Sequence, residues 1–208
     1  PEIGALAPVA DGPEGTDAVI GAGDGAAAEI ADFLAGGYLA WLDPTGYLDQ
    51  PVHARGQDGA ITVNLDGIAA EMRPLAKAAL DAWAEVADLA FREVPADAAQ
   101  IVFQDDEAGA FNRWRYDFGE TSATFLGSTV NFAADLAGRH GAEWGEWTYT
   151  TYLHEVGHAL GLGHSGAYGN FNEARGGGRL FDADTELMSV MSYFRHDGHT
   201  HMFGSRAW

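Results

Sequence analysis

The chain has no cysteine in its 208 residues, so no disulfide can staple it and no thiolate can act as nucleophile or metal ligand. Basic residues are also scarce. Eleven Lys and Arg stand against 31 Asp and Glu, for a formal charge of −20, which repels phosphate backbones and anionic lipid and argues against nucleic acid as a partner. No stretch reaches the roughly 18–20 consecutive apolar residues of a membrane span, and no basic start leads into an apolar leader. A processed chain or a leaderless export route would look the same, so this absence does not place the protein inside the cell. The composition is otherwise that of a globular protein, 47% hydrophobic and 20% charged, enough for one large domain or two closely packed subdomains.

Residues 1–27, rich in Gly, Ala, Pro and Asp, read as a flexible N-terminal arm. Ile30, Phe33 and Leu34 then predict a short helix over Glu29 to Ala35 that stops at Gly36-Gly37, followed by an aromatic, turn-rich segment with Tyr38, Trp41 and Tyr47. Ile61 to Leu65 alternates like a half-buried strand. Leu75, Ala79, Trp83, Val86 and Ala90 recur at helical spacing behind Pro74, which predicts a long amphipathic helix with that apolar face on a sheet. Phe91 to Val94, Ile101 to Phe103, Ala110 to Tyr116 and Thr129 to Phe132 are further strand candidates. This order predicts an α/β (α+β) domain.

Tyr149 to Leu160 reads as a helix containing His154-Glu155-Val156-Gly157-His158 and running into Gly161-Leu162-Gly163-His164, the pattern HExxHxxGxxH. Residues i and i+4 share a helix face, so His154 and His158 can reach one ion, with Glu155 beside it. A third ligand needs a sharp turn. Gly161 can take the left-handed conformation that allows it and brings His164 back. Three neutral histidines leave a zinc position open to water, as in catalytic sites. His196, His199 and His201 form a second cluster that reads as loop histidines, while His53 and His140 stand alone.

With Ser189-Val190-Met191-Ser192-Tyr193-Phe194 downstream, the sequence resembles the metzincin zinc metallopeptidases, and among them the serralysin-like bacterial family. Matrix-metalloproteinase-like relatives share HExxHxxGxxH and favour a serine at Ser165, but lack a tyrosine two residues past the methionine. The likeness runs from about residue 28 to Phe194 and includes Ala78 to Trp83, Phe91 to Val94 and Ser128 to Phe132. It implies a metzincin-type fold: a twisted mixed sheet with long helices and an active-site helix. The catalytic domain would span residues 28–208, with an N-terminal subdomain at 28–163 and an incomplete C-terminal subdomain at 164–208 holding the Met-turn.

The resemblance further implies a secreted, extracellular, monomeric zinc endopeptidase acting on protein or peptide substrates. Met191 would floor the zinc histidines, Glu155 would be the general base, and Tyr193 would ligate zinc or swing to the oxyanion. Ala110, Phe111, Asn112, Arg113 and Trp114 are the candidate substrate-binding strand. Relatives continue into a closing helix and Gly-Asp-rich calcium-binding repeats, which this sequence does not contain, so calcium is not inferable from its residues and the intact protein is expected to be longer. A narrow or self-processing protease, and a catalytically silent zinc-binding module for partner recognition, are the alternatives.

Overall fold

A computed structural model describes residues 24–140, 147–169 and 178–195. Residues 1–23 of the expected arm, the histidines at 196, 199 and 201, and two of the glycines in the run at 176–178 lie outside them, while residues 24–27, also expected in the arm, begin a helix. Five strands, β1 (Ala60–Gly67), β2 (Ala90–Glu93), β3 (Ile101–Gln104), β4 (Ala110–Phe118) and β5 (Ala123–Phe132), form one sheet in the order β2-β1-β3-β5-β4. All neighbours are parallel except β4, which runs antiparallel to β5 at the edge. This is the mixed α/β arrangement that the metzincin resemblance implies.

One face of the sheet is apolar. Val63, Ile101, Phe103, Val130 and Phe132 project from alternating positions and are closed off by Leu75, Ala76 and Ala79 of α3 (Arg73–Ala87) and by Tyr152 and Val156 of α5 (Trp147–Ala159). The opposite face carries buried polar side chains, Asn64, Thr129 and Asn131 among them. The fully buried Asn131 donates to the carbonyls of Glu107 and Gly109 at 2.9 and 2.8 Å and accepts from the Glu107 N–H at 3.2 Å, which fixes the loop that launches β4. Trp83 of α3 donates its indole N–H to the Leu153 carbonyl at 2.9 Å, tying α3 to α5.

Three expectations are corrected. The N-terminal helix does not stop at Gly36-Gly37: α1 (Asp24–Asp32) passes through a π-helical turn, Phe33–Gly37, into α2 (Tyr38–Leu42). A Cβ on Gly37 would lie 2.7 Å from the Phe33 ring, so the glycine makes room for a widened turn rather than ending the helix. Tyr38 and Trp41 therefore stand on a helix, not in a turn-rich segment. The long helix ends at Ala87 with Asp88 left-handed (φ 49°), Val86 is 77% exposed, and Ala90 belongs to β2. A short α4 (Ala134–His140), for which the sequence pattern gave no signal, precedes α5.

Candidate metal centre and cleft

Helix α5 carries His154, Glu155 and His158, and its end is built to turn. The Leu162 N–H bonds the Gly157 carbonyl at 3.1 Å and the Gly161 N–H bonds the His158 carbonyl at 2.9 Å, with Gly161 at φ +99°, a Schellman ending that needs a left-handed residue at its centre. Side chains also reach the terminal carbonyls. Trp114 donates to the His158 carbonyl at 2.7 Å, and His53 and Ser128 donate to that of Ala159 at 2.7 and 3.2 Å. Past the turn, the Gly163 N–H bonds the Leu34 carbonyl at 2.8 Å, and His164 swings back toward the helix.

The three imidazoles converge. His158 Nε2 lies 3.0 Å from His154 Nε2 and 3.1 Å from His164 Nε2. Each ring is oriented by its other nitrogen, because Nδ1–H donates to a backbone carbonyl: Val190 for His154 (2.8 Å), Leu162 for His158 (2.8 Å) and Tyr168 for His164 (2.9 Å). Burial holds the His158 pKa down to about 4 and those of His154 and His164 well below the ordinary histidine range, with neighbouring histidines adding to the effect. Near neutral pH the three Nε2 atoms are thus unprotonated lone pairs facing one another. Such close approach is repulsive without a cation between them. Bonds of about 2.0–2.1 Å to a tetrahedral zinc would set nitrogens roughly 3.4 Å apart, so the residues fit the ion within a few tenths of an ångström.

The Met-turn closes the site from below. Met191 is fully buried, its N–H bonded to the Ser189 hydroxyl at 3.0 Å, while the preceding carbonyl of Val190 orients His154. A Cβ on Gly157 would fall 2.5 Å from Met191 Sδ and 3.0 Å from the Trp83 ring, so this helix glycine is there to let the methionine reach the histidines. The Tyr193 ring lies 4.4 Å from that of His164 and stacks on His154 at 5.6 Å. Burial, and then the nearby Glu155 charge, raise its phenol well above the ordinary tyrosine range and keep it protonated. Burial pushes the Glu155 carboxyl up to about 8, opposed by the backbone N–H of Asn112 directed at it.

A cleft of about 730 Å³ runs over these groups, bounded by Tyr38 and Leu48 on one side and by β4 on the other, with Glu155, His158 and Tyr193 at its floor. All five candidate substrate residues, Ala110, Phe111, Asn112, Arg113 and Trp114, line it along the sheet edge, Ala110 being also buried in the core. Arg113 pairs with Glu107 at 2.8 Å. Several contributors carried no signal in the sequence pattern. Tyr38 stands edge-on to His164, with its hydroxyl 3.2 Å from the Tyr168 carbonyl. His53, isolated in the sequence, is buried against the end of the metal helix. Tyr168 and Asp184 lie in the loop that follows His164.

Residues 62–171, more than half of the chain, match the matrixin peptidase family, Peptidase_M10. The chain belongs to this family, and its sequence is similar to those of serralysins. It is 33% identical to serralysin A of Dickeya chrysanthemi over 132 residues, covering 57% of this chain and 25% of that protein. Serralysin C of the same organism is 35% identical over 132 residues, with 57% and 26% covered, and a serralysin of Photorhabdus sp. (strain Az29) is 29% identical over 134 residues, with 60% and 27% covered. The chain thus spans about a quarter of the length of the curated relatives it matches. The crystal structure of myroilysin is similar at a TM-score of 0.36 and 22% identity, over 64% of this chain and 56% of that one. Among the described residues, no helix is long and apolar enough to cross a membrane.

Proposed function

We propose that this chain is the catalytic unit of a secreted zinc endopeptidase that cuts extended protein substrates with broad specificity, working as a monomer. The observation that carries the reading is the convergence of three unprotonated Nε2 atoms beside a buried carboxyl and a buried phenol on the floor of one cleft. The family match supports a metallopeptidase, and the likeness to serralysins supports release from the cell.

His154, His158 and His164 would hold zinc, which when bound supplies Lewis acidity, polarising the scissile carbonyl and making a water acidic enough to attack near neutral pH. Glu155 takes the proton of that water and returns it to the leaving amine. Burial raises its pKa in the metal-free fold, and the positive charge of a bound zinc would draw it back down, leaving a carboxylate that can accept the proton and, once protonated, give it up. Tyr193, kept protonated, donates to the oxyanion as charge develops, and removing one such donor typically costs about 2.7–4 kcal/mol. Beyond the β5 partnership, the outer edge of β4 faces the cleft and offers backbone groups to an extended peptide. Affinity drawn from main-chain pairing depends little on side chains, which supports broad specificity.

Glu155→Gln is the test. It should bind zinc at the wild-type stoichiometry while casein hydrolysis falls by at least about a thousandfold. Peptidase activity retained by a zinc-replete variant would remove Glu155 as the base.

A further inference from the structure

The loop after His164 holds a buried polar chain that leads to Tyr193. Asp184 has no exposed surface and is seated by its own N–H on the Phe181 carbonyl at 2.9 Å, while Glu186 closes the loop by bonding the Phe194 carbonyl at 2.8 Å. The Asp184 carboxyl accepts from the Tyr168 hydroxyl at 3.1 Å, and the Ser192 and Ser165 hydroxyls face the same carboxyl. The Tyr168 hydroxyl is the donor of that bond, its proton directed at Asp184. The hydroxyl oxygen in turn accepts from the Tyr193 backbone N–H at 3.3 Å and also meets the Ser192 hydroxyl. The Tyr168 and Tyr193 rings also lie against each other at 5.1 Å.

The backbone end of Tyr168 serves a different group. Its carbonyl takes the His164 Nδ1–H at 2.9 Å and the Tyr38 hydroxyl at 3.2 Å. One residue therefore ties the third histidine through its main chain and the Met-turn tyrosine through its side chain, and the two ties can be cut separately.

We propose that Asp184 and Tyr168 are positioning residues for Tyr193: the Asp184 carboxylate sets the direction of the Tyr168 hydroxyl, which pins the backbone from which the Tyr193 ring reaches the oxyanion. The proposal rests on the peptidase reading of Tyr193 given above. A phenol that donates only as charge develops must start from a fixed pivot, since small misplacements of a reacting group lose much of its benefit.

Asp184→Asn, Tyr168→Phe and Tyr193→Phe, singly and with Tyr168→Phe and Tyr193→Phe combined, separate the outcomes. Zinc stoichiometry should stay at one per chain in all of them, because the His164 tie is to a carbonyl. Exchange of the Tyr193 backbone amide, read by NMR on the full chain, should speed up about tenfold or more in Asp184→Asn and Tyr168→Phe. In both, kcat should fall about tenfold with KM within about twofold, and Tyr168→Phe should add little to the loss from Tyr193→Phe, as expected for residues acting through one another. Unchanged exchange at Tyr193, or fully additive losses, would overturn the proposal. If Asp184→Asn does not fold, the milder Tyr168→Phe decides it. The exchange measurement needs no turnover, so it also reports if the chain proves not to be a peptidase.

Discussion

At the scale of single residues, burial sets the chemistry of the centre. In the metal-free fold the neutral form of Glu155 is favoured, with a pKa moved from 4.5 to about 8. A carboxyl whose folded pKa is raised gives stability that is full below 4.5 and is lost as pH climbs toward 8. The histidines act in the opposite sense. His158 is lowered from 6.5 to about 4, so its contribution is full above 6.5 and is lost as pH falls. Between pH 6.5 and 8, Glu155 is thus left as the main titrating group of the centre. Metal-free wild type should lose stability across that window while metal-free Glu155→Gln stays nearly level, as urea denaturation at several pH values would show. Parallel curves for the two proteins would mean that Glu155 is solvated. Gly157 makes a steric case. Alanine there gains about 1 kcal/mol of helix propensity, but its methyl would meet Met191 Sδ at 2.5 Å with Trp83 closing the other side, and overpacking typically costs about 1–3 kcal/mol. Gly157→Ala should therefore lower the thermal midpoint and weaken zinc binding, measured by calorimetry and chelator competition.

At the scale of elements, the sequence shows well what is periodic and poorly what is set by a neighbour. The strands of the sheet and helix α5 announce themselves by alternation or by helical spacing, and HExxHxxGxxH names the three histidines that converge because its spacings are geometric. The start of β5 at Ala123 was hidden by Gly127, whose backbone sits at φ +148° against the Gln100 carbonyl. Gly36-Gly37 read as a stop, yet the helix is carried on by Tyr38 and Leu39, which bury against distant chain. Tyr168, Asp184 and His53, and the bond from Trp114 to the end of α5, were illegible for one reason: each matters through a partner between 16 and 106 residues away, and no local pattern encodes that. Helix α3 offers a direct check on the corrected face. Leu75 is 1% exposed and Val86 77%, so Leu75→Ala should cost about 2–5 kcal/mol and Val86→Ala less than about 0.5 kcal/mol in urea unfolding. Similar losses at both sites would restore the face read from spacing alone.

At the scale of the whole molecule, the fold and the ion are coupled. The ligands come from the middle of α5, from the loop beyond it and, through the carbonyl of Val190, from the Met-turn, so an ion bound among them joins chain segments that the sheet does not hold. A ligand that binds only the folded state stabilises it by about 2.7 kcal/mol at a hundredfold excess over its dissociation constant. For a chain of this size each kcal/mol moves the melting temperature by roughly 2–4 °C, so zinc should raise it by about 5–11 °C over chelator-treated protein, and His158→Ala should abolish that difference. The pH dependence sharpens the test. Because burial already keeps the His158 ring neutral down to about 4, protons compete for this site only well below the pH at which solvent-exposed histidines lose their metal. The zinc-dependent rise in melting temperature should accordingly persist at pH 5.5, where a histidine of ordinary pKa near 6.5 is mostly protonated. A rise that vanishes between pH 7 and 6, or one that survives His158→Ala, would place the ion on exposed groups instead of the buried triad.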